Sequence, residues 1–268
     1  MDYLIPILIF AGIGVVAGVV LTVAGRLFHV EKDETVEKLK KLFPGINCGA
    51  CGFANCERYA QAIANEGAAP GQCKPGGVAV AEKVGEVLGK TVQNAEAESA
   101  FVMCAGDCVE KYDYLGTESC RSSAMYYGGK ESCNYGCSGL GDCVRACPEN
   151  AIRIVNRRAV VTESLCNACG LCVKSCPKNI IKIQKISQSV NVTCCSKDKG
   201  VITKSVCSKG CIGCKICEKK CASKAILVRD NVASINPELC TNCGDCVSVC
   251  PVKCIAVKPV CEFKQSDE

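Results

Sequence analysis

The sequence predicts an α+β protein with one apolar N-terminal helix, a small cysteine module and two tandem cysteine-rich units. Three observations support this prediction. Residues 3–25 carry no charge, many of the 28 cysteines fall into short regular runs, and the second half of the chain repeats itself. Aromatic residues make up 5% of the chain and tryptophan is missing, so few large side chains can build a core. We therefore expect groups bound by the cysteines to hold the folded units together.

The N-terminal apolar run is long enough to cross a bilayer as a single transmembrane helix. Its 23 residues exceed the apolar part of a secretory signal, and no positive charge precedes it. Basic residues follow it, at Arg26, Lys32, Lys38, Lys40 and Lys41. The positive-inside rule therefore predicts a single-pass protein of the cell membrane with its folded part in the cytoplasm. That side is reducing, which favours metal-bound thiolates over disulfides.

Composition and cysteine spacing divide the chain into eight segments. They are a transmembrane anchor at 1–28, a connector at 29–45, a module at 46–75, a connector with extra cysteines at 76–132, a first unit at 133–185, a linker at 186–206, a second unit at 207–260 and a tail at 261–268.

The internal repeat is the clearest structural signal. The spacing C-x2-C-x2-C-x3-C begins at Cys166, Cys211 and Cys240. A step of 29 residues relates Cys137 to Cys166 and Cys211 to Cys240, and a step of 74 relates the two pairs. Five β-prone runs flank these loops, at Ile152–Val155, Ala159–Thr162, Ile180–Ile183, Ile226–Val228 and Ala233–Ile235. The region 133–258 thus resembles two tandem copies of the bacterial two-cluster ferredoxin fold.

Four cysteines at this spacing are typical of [4Fe-4S] ligands. Three of them wrap one cluster, and the fourth reaches the other cluster of the pair. In the second unit this pattern predicts one set of Cys211, Cys214, Cys217 and Cys250, and another of Cys240, Cys243, Cys246 and Cys221. Disulfides would need only pairs of cysteines, and structural zinc more often takes two separated C-x-x-C pairs.

The first unit departs from the pattern in one of its two sets. The complete set consists of Cys147, Cys166, Cys169 and Cys172. The other contains Cys137, Cys143 and Cys176, but Leu140 stands where the second cysteine belongs. Cys133 is a candidate for the missing ligand. However, Cys207 occupies the equivalent place in the second unit, where no ligand is missing.

The module at 46–75 predicts a further [4Fe-4S] site, with structural zinc as the alternative. Its cysteines follow the spacing C-x2-C-x4-C-x16-C, at Cys48, Cys51, Cys56 and Cys73. The sequence therefore predicts at least five clusters. A sixth could be built from cysteines outside these sets, at Cys104, Cys108 and Cys120, with Cys195 or Cys207. The alternative is that these are thiols of the core.

Charge and the missing motifs reduce the number of functions that the sequence allows. The chain has no G-x-G-x-x-G fingerprint, no P-loop and no arrangement like a catalytic triad, so we expect electron transfer between partners without bond chemistry. Between residues 182 and 229 there are eleven lysines and arginines but two acidic residues, a net charge of +9. This segment is either a solvated basic face or a docking surface for an acidic partner. Nucleic acid is disfavoured because the segment lacks interleaved aromatics.

The order of an apolar helix, this module and tandem cluster units resembles the B subunit of the Rnf complex, the ion-translocating ferredoxin:NAD+ oxidoreductase. Two stretches are similar to the longer, clostridial-type members, Lys130–Val144 and Val206–Lys215. The resemblance implies a membrane protein that accepts electrons from reduced ferredoxin and relays them to other Rnf subunits, which would bind NAD+ and flavin.

Two other functions remain open from the sequence alone. One is a polyferredoxin subunit of another membrane oxidoreductase, such as a hydrogenase, which would carry the same kind of clusters. The other is a non-redox zinc protein of regulation or assembly.

Overall fold

The computed structural model describes residues 4–27, 33–89 and 96–257. The first helix, α1, runs over Leu4–Leu27, and its described side chains are those of residues 10–24. Among these described side chains, the large apolar ones are exposed, with 75% of Phe10 accessible to solvent. Among the described residues, no helix combines the length and apolar character that crossing a membrane requires. His29 and the predicted tail at 261–268, with Cys261, lie outside the described residues.

Three helices pack together around the cysteines of 46–75, so the folded module extends over residues 34–88. They are α2 at Glu34–Leu42, α3 at Cys56–Asn65 and α4 at Gly77–Leu88. Side-chain caps begin two of them, since Asp33 accepts a hydrogen bond from the Thr35 amide and Asn55 accepts one from the Arg58 amide. Leu39, Tyr59 and Val84 are almost fully buried where the helices meet. The module thus has a small apolar core of its own beside its cysteines.

The first unit contains two antiparallel pairs of strands and three short helices. The strands are β1 at Glu98–Val102, β2 at Ile152–Val155, β3 at Arg158–Val161 and β4 at Ile181–Lys185, and the helices are α5 at Cys120–Met125, α6 at Asp142–Arg145 and α7 at Leu171–Ser175. β2 and β3 form a hairpin, whereas β1 pairs with β4. Asn156 and Arg157 form the hairpin turn with positive φ angles of 48° and 63°.

The second unit repeats this plan. Its strands are β5 at Val190–Val192, β6 at Ile226–Arg229, β7 at Val232–Ile235 and β8 at Ile255–Val257, and its helices are α8 at Gly200–Val206, α9 at Ile216–Lys220 and α10 at Asp245–Ser248. β6 and β7 form the hairpin, and β5 pairs with β8. Each unit buries its own apolar cluster, in which strand residues pack against cysteines.

Each of the five β-prone runs of the sequence overlaps a strand. The strands β1, β5 and β8 lie outside these runs and were not predicted. β1 lies in the segment predicted as a connector at 76–132, and β5 lies in the predicted linker at 186–206. Both pair with the last strand of a unit. The first and last strands of each unit therefore lie side by side, and the cysteine loops lie between them in sequence.

Candidate metal centres

The module brings its four predicted cysteines together. Burial raises the pKa of the Cys73 thiol, and the proximity of Cys56, Cys51 and Cys48 raises it further. All four residues are partly buried. The arrangement therefore offers four converging sulfur atoms, as a cluster requires.

Local contacts set the shape of this cysteine loop. The Cys56 amide donates to Asn47 Oδ1 at 2.9 Å. The Tyr59 hydroxyl donates to the Ala69 carbonyl at 2.8 Å and accepts from the Gln72 amide at 3.0 Å. Because Gln72 directly precedes Cys73, these bonds fix the chain that carries the fourth cysteine back to the other three.

The complete set of the first unit also converges. Burial raises the pKa of Cys172 to about 12, and Cys166, Cys169 and Cys147 lie near enough to contribute. The Ala100 amide of β1 donates to Cys166 Sγ at 3.4 Å. Such amide–sulfur hydrogen bonds stabilise a thiolate and tune the potential of a bound cluster.

Cys120 lies beside the three cysteines of the incomplete set of the first unit. Burial raises the pKa of Cys143 to about 12, and Cys137, Cys120 and Cys176 are close neighbours that raise it further. Cys120 is the first residue of α5 and is buried. No spacing motif points to it for this set, because it lies seventeen positions before Cys137.

Contacts with α6 hold Cys120 in place. One carboxylate oxygen of Asp142 accepts hydrogen bonds from the Ser119 hydroxyl at 3.1 Å and from the Arg121 amide at 3.0 Å. The Arg145 guanidinium donates to the Glu118 carbonyl at 2.6 Å. The start of α5 is thus tied to the helix that carries Cys143.

Cys133 lies elsewhere, at the junction of the two units. Burial raises the pKa of its thiol, and its cysteine neighbours are Cys104 and Cys207. It therefore joins two of the cysteines that the sequence left for a possible sixth cluster, while Cys120, from that same group, joins the first unit's set.

The second unit gathers both of its predicted sets. Burial raises the pKa of Cys217 to about 11, and Cys211, Cys214 and Cys250 lie close to it. Burial also raises the pKa of Cys246, with Cys240, Cys243 and Cys221 as its thiol neighbours. In each set the fourth cysteine comes from the other half of the unit, as the repeat predicts.

Cys254 is a buried thiol beside the first of these sets. It is 1% exposed, and its Sγ lies 3.6 Å from Cys250 Sγ. The Cys254 thiol beside Cys211 lowers the pKa of Cys211. Cys254 therefore favours the thiolate form of a neighbouring cysteine.

The chemistry of these donor sets fits [4Fe-4S] clusters. Among the described residues, no three His, Cys, Asp or Glu side chains stand close enough to hold one metal ion. A four-iron cluster occupies the space between its ligands, so its thiolates stand farther apart than those around a single ion. The donors are soft sulfur atoms that accept backbone amides, which suits iron–sulfur ligation.

The module lies beside the first unit. Lys174 Nζ of α7 donates to the Cys48 carbonyl at 2.7 Å, and Lys74 Nζ forms an ion pair with Glu98 of β1 at 2.9 Å. Cys48 is also a charged neighbour of Cys169. The module's set and the complete set of the first unit are therefore adjacent.

The remaining sets follow in a row. Cys172 of the complete set neighbours Cys143 of the incomplete set. Cys176 of that same set neighbours Cys195, and Cys194 neighbours Cys211 of the second unit. The row therefore runs from the module through the first unit to the second.

Family models match the module and both cluster units separately. Residues 43–75 match a family model for an Fe-S cluster. Residues 132–180 and 210–254 each match the 4Fe-4S dicluster domain.

Three relatives match over most of the chain. The B subunit of the ion-translocating oxidoreductase complex of Methanosarcina acetivorans is 42% identical over 94% of this chain and 97% of its own length. The B subunit of the proton-translocating ferredoxin:NAD(+) oxidoreductase complex of Clostridium ljungdahlii is 38% identical over 91% and 88%. The B subunit of the Na(+)-translocating ferredoxin:NAD(+) oxidoreductase complex of Acetobacterium woodii is 36% identical over 94% and 77%.

Proposed function

The chain belongs to the B-subunit family of ion-translocating oxidoreductase complexes, the Rnf family, and from this premise we propose that it is the complex's electron-input subunit. It accepts electrons from reduced ferredoxin and relays them to other subunits of an ion-translocating ferredoxin:NAD+ oxidoreductase. The observation that carries the proposal is the row of four-cysteine sets from the module to the second unit. When bound, [4Fe-4S] clusters supply reversible one-electron redox chemistry.

We assign five ligand sets to these clusters. They are Cys48, Cys51, Cys56 and Cys73; Cys147, Cys166, Cys169 and Cys172; Cys120, Cys137, Cys143 and Cys176; Cys211, Cys214, Cys217 and Cys250; and Cys221, Cys240, Cys243 and Cys246. The pKa values of about 11 or 12 at Cys143, Cys172 and Cys217 mean that buried thiols without metal keep their protons. Metal binding at these sites therefore releases protons.

We also place α1 in the cell membrane as a single anchor. Its sequence between Leu4 and Ala24 has no charged residue, and the large apolar side chains described from Phe10 onward are exposed rather than packed on the folded units. A helix of 24 residues rises about 36 Å at 1.5 Å per residue, which exceeds the roughly 30 Å of bilayer hydrocarbon. The basic residues after it favour a cytoplasmic location for the cluster-bearing part.

Anaerobic purification of the full chain tests this function. We expect a brown protein with equal molar amounts of iron and acid-labile sulfide, at least five [4Fe-4S] clusters per chain, and paramagnetic signals that appear on reduction. Zinc without labile sulfide would overturn the proposal in favour of a regulatory or assembly protein. Clusters that reduced ferredoxin fails to reduce would favour a polyferredoxin subunit of another oxidoreductase.

The basic segment at 182–229 is the surface that we propose for ferredoxin docking. Lys215, Lys219 and Lys220 are exposed around α9, and the ligands Cys214 and Cys243 are exposed as well. Positive charge therefore surrounds the part of the row where thiolates lie closest to solvent. Such an arrangement would attract an acidic electron donor by long-range electrostatics.

Charge reversal tests the docking surface. Replacing Lys215, Lys219 and Lys220 by Glu should slow electron entry from ferredoxin about tenfold or more at low salt, with a smaller effect at high salt. A matched control changes the exposed Lys38, Lys41 and Lys83 of the module to Glu, with the same change in net charge. Equal rates for the wild type and the α9 variant at low salt would reject the docking surface.

A further inference from the structure

Two lysines reach across the contact between the module and the first unit. Lys74, which directly follows the proposed ligand Cys73, forms an ion pair with Glu98 of β1 at 2.9 Å. Lys174 reaches in the opposite direction, from α7, and its Nζ donates to the Cys48 carbonyl at 2.7 Å. Both lysines therefore lie beside proposed cluster ligands and join the two parts of the molecule.

The two lysines differ in how their charges are balanced. The carboxylate of Glu98 neutralises Lys74. Lys174 contacts a neutral carbonyl, and within the described ranges no Asp or Glu forms an ion pair with it. Lys174 thus brings an unbalanced positive charge to this contact.

A tight turn of the module's cysteine loop lies against the Lys174 ammonium group. Gly49 has a positive φ of 69°, which glycine adopts without strain, and a Cβ atom at this position would lie 3.7 Å from Lys174 Nζ. The Gly52 amide donates to the Gly49 carbonyl at 3.2 Å and closes the turn. The ammonium group therefore lies over the peptide that joins Cys48, the module's first ligand, to Gly49.

The position of Lys174 on α7 also places it beside the complete set of the first unit. It lies two residues after Cys172 of that set. The second unit has Ser248 at the equivalent position, two residues after Cys246, and the Ser248 hydroxyl donates within its own helix, to the Asp245 carbonyl at 2.8 Å. A lysine that reaches outwards is therefore found in the unit that has the module beside it.

We propose that Lys174 sets the electron step between the module's cluster and the complete set of the first unit. This inference rests on the proposed electron-transfer function. A cluster gains one negative charge when it is reduced, and a nearby ammonium group stabilises that charge. One electron moves between the two clusters, and no bond forms or breaks.

The geometry gives this effect a direction. Because the ammonium group contacts the backbone of a module ligand, it raises the reduction potential of the module's cluster most and that of the complete set less. The charge thus favours an electron on the module over one on the first unit. Lys174 is a positioning residue in this role, since it acts on the electron through the clusters.

A redox titration of the full chain, purified without oxygen and followed by paramagnetic spectroscopy, tests this role. Lys174→Gln keeps a donor for the Cys48 carbonyl but removes the charge. At a fixed solution potential the ratio of reduced to oxidised module cluster should fall about two- to fivefold, the size expected for one solvent-exposed charge. The complete set should shift in the same direction by less, and the two sets of the second unit should not change. Cys51→Ser and Cys169→Ser, which each alter one ligand, identify the components of the two clusters.

Two further variants separate the charge at this contact from hydrogen bonding and from net charge. Lys174→Arg keeps the charge and should have potentials close to those of the wild type. Lys83→Gln removes the same net charge from an exposed position on α4 of the module and should leave the potentials unchanged.

Three outcomes would overturn the inference. They are equal potentials for Lys174→Gln and the wild type, an equal shift in Lys83→Gln, or a shift in Lys174→Arg as large as that in Lys174→Gln. In each case the clusters and the proposed function would stand, whereas a wild-type chain without iron would remove both. Iron and sulfide analysis of every variant ensures that potentials are compared between chains with the same cluster content.

Discussion

The two cluster units share a fold but obtain one ligand in different ways. In the second unit, all eight predicted ligands come from its two cysteine runs. In the first unit, Leu140 stands where the repeat predicts a ligand, and our ligand assignment takes Cys120 instead, from a segment before the repeat. What the two units have in common is the placement of four sulfurs in space, whereas the spacing of cysteines along the chain has changed.

The added segment explains how this exchange is possible. The first unit has a step of 33 residues from Cys104 to Cys137, whereas the second has a step of 17 from Cys194 to Cys211. Both Cys104 and Cys194 accept a hydrogen bond from the first cysteine of the loop that follows, so these pairs are equivalent. The longer connection includes α5, which carries Cys120. A ligand could therefore move out of the repeat once a helix offered a thiol to the same site.

The largest effect is expected when the proposed ligand Cys120 is removed and a cysteine is placed at position 140, inside the repeat. Cys120→Ala should lose one [4Fe-4S] signal and the corresponding iron, because its set would retain only Cys137, Cys143 and Cys176. The double variant Cys120→Ala with Leu140→Cys should regain the cluster, since it restores the spacing found in the second unit. Iron and sulfide analysis with paramagnetic spectroscopy measures both.

Cys133→Ala provides the contrast for this rescue. Its loss should affect the junction and leave the first unit's set intact. If Cys133→Ala with Leu140→Cys behaves as a rescued pair and Cys120→Ala changes nothing, the ligand assignment in the first unit is wrong.

A smaller effect, on stability, is expected from replacing Lys178, a lysine that has no counterpart in the second unit. Lys178 Nζ donates to the carbonyls of Gly128 and Asn134, while Val252 occupies the equivalent position after the second unit's last ligand. Burial lowers the pKa of Lys178. Lys178→Met should reduce the free energy of unfolding by about 1–3 kcal/mol, because it leaves the partly buried Gly128 carbonyl without its lysine donor.

Denaturant titration of the cluster-loaded chain measures this difference. Lys185→Met is the control, since Lys185 forms an exposed ion pair with Glu96 at 2.7 Å, for which we expect about 1 kcal/mol or less. Equal losses for the two variants would mean that Lys178 does not anchor the added segment.

The smallest expected effect concerns the potential of one cluster in the second unit. The Cys254 thiol lowers the pKa of Cys211, whereas the first unit has Ile180 at the equivalent position. Cys254→Ala should lower that cluster's reduction potential, because it removes a thiol that favours negative charge on a ligand, as in the reduced form. A hydrogen bond of about 1 kcal/mol corresponds to at most about 40 mV for one electron. A redox titration with no shift, or an upward shift, would contradict this role.

The sequence is most informative where structure is local. Each β-prone run beside a cysteine loop is a strand, because hairpins such as β2–β3 join residues that are near in sequence. β5 and β8 escape prediction since each has only three residues, and β5 carries a buried polar residue, Asn191, at its centre. A period of two cannot be recognised in three residues. β1 has five residues, but it lies outside the cysteine repeat and pairs with a strand at the far end of the unit.

The same distinction applies to the cysteines. The structure brings together the four cysteines of each complete predicted set, because the repeat defines both their spacing and their exchange between halves. The sequence could not show that Cys120, and not Cys133, lies beside the incomplete set, since this depends on where α5 packs against α6. The signal available in the sequence is the gap at Leu140 together with a surplus of cysteines upstream, and it does not distinguish between them.

The side-by-side placement of the first and last strands of each unit has a consequence for biogenesis. During synthesis, β1 emerges from the ribosome about eighty residues before its partner β4. The first unit therefore cannot close until most of its length has left the exit tunnel, and Cys176 appears only shortly before β4. The cell's assembly machinery consequently meets open, thiol-rich nascent chain for several seconds at ordinary elongation rates, and the module, with its nearby helices, is the segment that can be loaded first.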